Sequence, residues 1–173
     1  MNKTVRKYGD YVATIMNKEY EDTMAIIKKE FKTIDNMVFS IVVSDEIETQ
    51  EKIAKTIEIT DNFRNSMEKM IGARMEKIIV EKRPILINKM ADLSCEQDNI
   101  IEGIMLLEPL MKVTDLAFET YLELTIGYVS KRLFQLIDAV EETLEDEDEE
   151  VEEIEIDLEE LLKAVLKSTL KKD

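Results

Sequence analysis

Residues 4–42 read TVRKYGDYVATIMNKEYEDTMAIIKKEFKTIDNMVFSIV, and this stretch decides the fold class. Its apolar residues recur three or four positions apart, so at 100° per residue they stay within one broad stripe. The stripe is formed by Val5, Tyr8, Val12, Ile15, Met16, Tyr20, Ile27, Phe31, Ile34, Val38 and Ile41. This pattern predicts a single long helix from about Thr4 to Val42.

Similar periodicity, interrupted by capping residues and two prolines, predicts further helices after the first. Asp45 and Glu48 have the spacing of a capping box, and Ser94–Gln97 forms a second one. Pro84 is expected to end or kink a helix, and Pro109 is expected at the first position of another. The predicted connections lie near Ser44, Pro84, Ser94 and Glu108. With only four glycines in 173 residues, we predict an all-α bundle of four to six long helices.

Two patterns in the middle of the chain predict how these helices pack. Gly72 and Ala73 fall inside the second predicted helix and indicate the close approach of another backbone. The helix that opens after Ser94 is expected to carry its apolar stripe on Ile100, Ile101, Ile104 and Leu107. We therefore expect these apolar residues to pack on a neighbouring helix.

Negative charge is concentrated in residues 141–160, where fourteen of twenty residues are Asp or Glu and none is basic. The whole chain carries a formal charge of −16, so the remainder is nearly neutral at −2. Like charges repel in 145–150 (EDEDEE), which predicts an acidic linker. In 151–173 an apolar stripe reappears, with acids at the start and lysines at the end, as the helix dipole favours. We predict a bundle over 1–144, a linker over 145–150 and an amphipathic helix over 151–173.

The composition excludes several classes of chemistry. There is no histidine and only one cysteine, Cys95, so imidazole catalysis, an internal disulfide and sites with several cysteine or histidine ligands are excluded. No glycine-rich phosphate loop is present, and the net negative charge disfavours direct binding of nucleic acid. The longest uncharged stretch, 36–44, is far shorter than the ~20 residues of a spanning helix. We expect a soluble, cytoplasmic protein that is not an enzyme, needs no cofactor and does not bind a membrane.

The favoured functional hypothesis is a non-enzymatic interaction or regulatory protein. Its acidic region would bind a basic surface on a protein partner, and its last apolar stripe would dock on its own bundle, on a second copy or in a partner groove. In one version the acidic region occupies a nucleic-acid-binding site on another protein as a polyanion. The predicted partner-binding residues are Glu141, Glu142, Glu145, Asp146, Glu147, Asp148, Glu149, Glu150, Ile154, Leu158, Leu161, Leu162 and Val165.

Two alternatives remain open from the sequence. The first is a carboxylate-based metal-binding bundle or enzyme, which needs acids that face inward. The best-spaced acids, Asp115, Glu119 and Glu123, lie opposite the apolar stripe of their helix, and that position indicates a solvated face instead. The second alternative is a structural homo-oligomer held together by the long helices or by the last helix.

Overall fold

The computed structural model describes residues 3–145, and these residues form three long α-helices. Helix α1 spans Lys3–Val42, α2 spans Thr49–Cys95 and α3 spans Ile100–Glu145. The all-helical prediction is therefore confirmed for this part of the chain. The predicted helix over 151–173 lies outside the described residues, as does the predicted linker beyond Glu145.

The described residues contain fewer helices than predicted because neither proline ends a helix. Pro84 lies inside α2 and Pro109 lies inside α3, so a helix end at Pro84 and a helix start at Pro109 are both wrong, and a kink at Pro84 stays a prediction. A proline leaves the carbonyl four residues earlier without its N–H donor, and here those carbonyls belong to Val80 and Met105. Both side chains are more than 70% exposed. Each proline thus interrupts the hydrogen bonds on the solvent side of its helix, where water can satisfy the carbonyl.

The two connections lie close to the predicted ones, although both helices that follow begin later. The first connection covers residues 43–48, so α2 begins at Thr49 and not at the capping box around Asp45. The second covers residues 96–99, because α2 runs through Ser94 to Cys95. The side chain of Asn99 caps α3: its Oδ1 accepts the N–H of Glu102 at 2.8 Å. The predicted capping box at Ser94 is therefore wrong.

The described helices fall into two compact units along the chain. Within the described residues, unit 1 comprises 3–31 and 64–130, and unit 2 comprises 32–63 and 131–145. Each of the three helices contributes one segment to each unit.

Hydrogen bonds define the helix directions within unit 1. Tyr8 Oη lies 2.7 Å from Thr114 Oγ1, and Thr23 Oγ1 lies 2.8 Å from Tyr121 Oη. The residue numbers of the partners in α1 and α3 increase together, so the two helices run parallel. Arg74 Nε donates to Thr23, while Tyr8 Oη donates to the carbonyl of Leu86. Here the numbers in α2 fall as those in α1 rise, so α2 is antiparallel to the other two helices.

The core of unit 1 lies between these three segments, and the predicted stripe of α1 supplies one side of it. Neighbouring turns of α2 and α3 supply the others. The buried cluster consists of Tyr8, Val12, Met16, Met75, Ile78, Leu86, Met90, Leu93, Leu106, Leu110, Phe118 and Tyr121. Because the stripe recurs at the helical period, α1 buries one continuous face along its length.

Unit 2 has its own buried apolar residues, and a partly buried ion pair lies within it. The buried residues include Ile34, Val38, Val42, Leu133, Leu136, Val140 and Leu144. Arg132 Nη2 lies 3.4 Å from Asp35 Oδ2. Burial raises the pKa of the Asp35 carboxyl above its ordinary value, and the nearby Arg132 guanidinium opposes that shift.

Candidate protein-interaction surface

The structure positions only the beginning of the predicted acidic site. Glu141 and Glu142 lie in the last turns of α3, where Glu142 is exposed and Glu141 is half-buried. Glu145 is the final residue of α3, one turn beyond Glu141. The remaining predicted residues lie outside the described part of the chain: Asp146, Glu147, Asp148, Glu149, Glu150, Ile154, Leu158, Leu161, Leu162 and Val165.

A polar network in unit 1 contains the ionisable side chains of Glu19, Lys82 and Arg74. Glu19 Oε1 lies 2.9 Å from Lys82 Nζ, and Glu19 Oε2 lies 3.7 Å from Arg74 Nη2. Arg74 also donates to Thr23, whose hydroxyl is bonded to Tyr121. Burial is the main cause that raises the pKa of Tyr121, so its phenol stays protonated at neutral pH. The network connects three helices through paired groups and offers no activated nucleophile or base.

Acidic side chains elsewhere in the described residues do not form a metal cage. Within residues 3–145, no group of three or more acidic or cysteine side chains is arranged to hold a metal ion. Asp115, Glu119 and Glu123 are all exposed on α3, which confirms that this ladder is a solvated face.

An exposed apolar surface lies where α2 and α3 meet in unit 1. The two helices form an antiparallel hairpin, and the first three turns of α3 carry large apolar side chains that face solvent. We call this the tip surface, formed by Ile100 (82% exposed), Ile101 (70%), Ile104 (62%), Met105 (71%), Leu107 (36%) and Met111 (52%). Residues 98–102 also line a shallow, open depression at the turn. Contiguous exposed apolar side chains of this size are typical of binding surfaces.

The tip surface exists because α3 begins with more apolar residues than one helix face can bury. Eight of the twelve residues 100–111 are Ile, Leu or Met. Only Leu106 and Leu110 point into the core, 4% and 0% exposed, beside the buried Gly103. The predicted packing of the stripe from Ile100 to Leu107 on a neighbouring helix is therefore wrong for the described residues, because the inward face is a different one.

A close backbone contact holds the two helices together below the tip surface. The Ser94 hydroxyl donates to the carbonyl of Gly103. A Cβ atom added at Gly103 would lie only 2.6 Å from the Ser94 carbonyl oxygen, so only glycine fits here without displacement. The predicted close approach at Gly72 is wrong, since a Cβ atom there would meet nothing within 4 Å. The close approach of two helices predicted from a glycine does occur, but at Gly103.

The stretch of chain that carries the tip surface is acidic. Residues 90–111 contain five acidic residues and no lysine or arginine. All five acids, Asp92, Glu96, Asp98, Glu102 and Glu108, are exposed. Glu108 pairs with Lys112 at 2.8 Å, and this lysine lowers the pKa of the Glu108 carboxyl. This stretch therefore combines exposed apolar side chains with a local excess of negative charge.

Comparison with known proteins does not assign a function to the tip surface. No family profile, no curated protein and no solved structure matches the chain. Among residues 3–145, no helix combines the length and the apolarity needed to cross a bilayer.

Proposed function

We propose that this chain is a non-enzymatic helical interaction protein. The observation that carries the proposal is the tip surface, where Ile100 and Ile101 are 82% and 70% exposed beside each other. Leaving several large aliphatic side chains in water costs free energy that burial against a partner would recover, about 25 cal/mol per Å² of apolar surface. The tip surface is thus the part of the described chain best suited to binding another protein.

The acidic region 141–160 is proposed as a second contact, with a basic surface on a partner. The proposal includes the finer architecture in which an acidic linker, 145–150, connects the helical part to an amphipathic helix, 151–173. It is supported by the charge count, because this region holds fourteen of the 39 acidic residues of the chain and no basic one. A polyanionic segment of this kind also suits a nucleic-acid-binding site on the partner.

The first prediction concerns the position of the partner. A photoreactive phenylalanine analogue that replaces Met105 should crosslink to another protein in extracts of the source cell. The matched control places the analogue at Leu116, which is 62% exposed against 71% for Met105 and lies three turns further along α3. We expect adducts from position 105 and few from position 116, measured by mass spectrometry. Equal yields from both positions, or no adduct at either, would contradict the proposal.

The second prediction concerns the acidic contact. Neutralising Glu147, Asp148 and Glu149 as Gln, Asn and Gln should weaken the binding of polylysine several-fold, because closely spaced charges attract a polycation together. The matched control neutralises one aspartate and two glutamates on the exposed face of α3, namely Asp115, Glu119 and Glu123. Isothermal titration at two salt concentrations measures both triple variants. If both variants lose the same affinity, the charge acts diffusely and the acidic segment is not a specific contact.

A further inference from the structure

Deepening the proposed function, on which this inference rests, we infer that the tip surface binds a cationic amphipathic helix of a partner protein. The apolar part of the surface sets the shape of the partner. Ile100, Ile104, Leu107 and Met111 are spaced i, i+4, i+7 and i+11, so they form one stripe along α3. This stripe is about 16 Å long at 1.5 Å per residue. A partner helix of three to four turns would cover it with its own apolar face.

The acids around the stripe set the charge of the partner. Asp92, Glu96, Asp98 and Glu102 form no ion pair within residues 3–145, and no base occurs between positions 90 and 111. An acidic peptide, a nucleic acid or an anionic lipid would be repelled by this surface. Two copies that meet tip to tip would bring five acids of each chain together, so electrostatic repulsion also opposes dimerisation through this surface.

One backbone carbonyl at the tip surface lacks its helical donor. Pro109 has no N–H, so it cannot donate to the carbonyl of Met105 as the regular helix pattern requires. Met105 is 71% exposed and belongs to the tip surface. This carbonyl can accept a hydrogen bond from water or from a partner donor, but Met105 lies about 140° around α3 from Ile100, away from the stripe.

The C-terminal residues of this chain have a related composition and could compete for the same surface. Residues 161–172 (LLKAVLKSTLKK) contain four lysines and no acid, together with Leu161, Leu162 and Val165. They lie outside the described residues and are an alternative occupant of the tip surface.

The test measures binding of labelled peptides of about 18 residues, long enough for four to five helical turns, to the full chain by fluorescence anisotropy. One peptide carries leucines on one helix face and lysines elsewhere. A second has the same composition in scrambled order, and a third has glutamate in place of lysine. The scrambled peptide controls for the acidic region 141–160, which attracts any cation. We expect the striped cationic peptide to bind at least about tenfold tighter than either control.

Matched variants locate the binding. Ile104→Ser should weaken binding of the striped peptide about tenfold. Leu116→Ser should leave this binding unchanged, although both side chains are 62% exposed on α3. Neutralising Asp98 and Glu102 should weaken binding of the striped peptide about fivefold, and neutralising Asp115 and Glu119 should leave this binding unchanged. Equal effects of Ile104→Ser and Leu116→Ser overturn the inference, as does equal binding of the anionic peptide.

Two other occupants give distinct results, and each overturns the inference. If the striped peptide binds only after Lys163, Lys167 and Lys171 are replaced by glutamate, the C-terminal residues of this chain occupy the surface. If light scattering shows a dimer that Ile104→Ser dissociates, a second copy occupies it. A partner that crosslinks at position 105 but lacks a cationic helix overturns this inference and leaves the proposed function standing.

Discussion

Gly103→Ala should lower the free energy of unfolding by about 2 kcal/mol, the usual cost of forcing extra volume into a close-packed contact. The added methyl group would lie 2.6 Å from the carbonyl oxygen of Ser94, which is a backbone atom and cannot move like a flexible side chain. Relief requires α2 and α3 to separate where the Ser94 hydroxyl bonds the Gly103 carbonyl. Thermal unfolding followed by circular dichroism should show a midpoint lowered by roughly 4–8 °C.

The matched control for this variant is Gly72→Ala, and its expected effect has the opposite sign. Gly72 is an exposed residue inside α2, and an added Cβ atom would meet nothing within 4 Å. Alanine there gains about 0.5–1 kcal/mol of helix propensity without a steric cost. If both variants change stability in the same direction, the close approach at Gly103 is not the reason for its glycine.

The glycine pair also shows what the sequence alone could and could not predict. Gly72 and Gly103 both lie in helical patterns, and both are compatible with close packing of two backbones. Only the position of the partner helix separates them. Gly103 lies nine residues after Ser94, across a connection of four residues, where the start of α3 is held against the end of α2. The register of a hairpin depends on contacts between distant side chains, so composition around each glycine could not supply it.

Helix α1 was predictable nearly to the residue, whereas the number of helices was not. The predicted span from Thr4 to Val42 differs from the observed Lys3–Val42 by one residue, because a long uninterrupted stripe leaves little choice. The two prolines gave the wrong boundaries because their effect depends on the side of the helix that they occupy. At Pro84 and Pro109 the lost hydrogen bond faces solvent, so each helix continues.

The sequence contains a signal for the tip surface, the excess of apolar residues in 100–111. Residues 100–111 are apolar on every side of the helix, which is more than one core face can bury. That excess predicts an exposed apolar surface, although it does not show which residues form it. The packing of α3 against α2 determines which residues are exposed, because Leu106 faces inward and Leu107 does not.

Leu106→Ala should lower the free energy of unfolding by about 3 kcal/mol, whereas Leu107→Ala should lower it by about 1 kcal/mol or less. The two changes remove the same atoms from neighbouring positions of α3, so the intrinsic helix propensity changes equally. Leu106 is 4% exposed within the core cluster of unit 1, and its truncation leaves a cavity there. Leu107 is 36% exposed at the edge of the tip surface, where water fills the space.

Urea titration followed by circular dichroism measures both variants, and the expected ratio decides which face of α3 is inward. The sequence pattern alone placed Leu107 with Ile100, Ile101 and Ile104 on the packed stripe, and that arrangement predicts the larger loss for Leu107→Ala. A larger loss for Leu107→Ala would therefore mean that α3 is rotated and that the tip surface is part of the core. The expected result is a larger loss of unfolding free energy for Leu106→Ala, with peptide binding weakened only by changes among the exposed side chains of α3. That result would show that the exposed apolar side chains bind a partner and that the buried ones stabilise the fold.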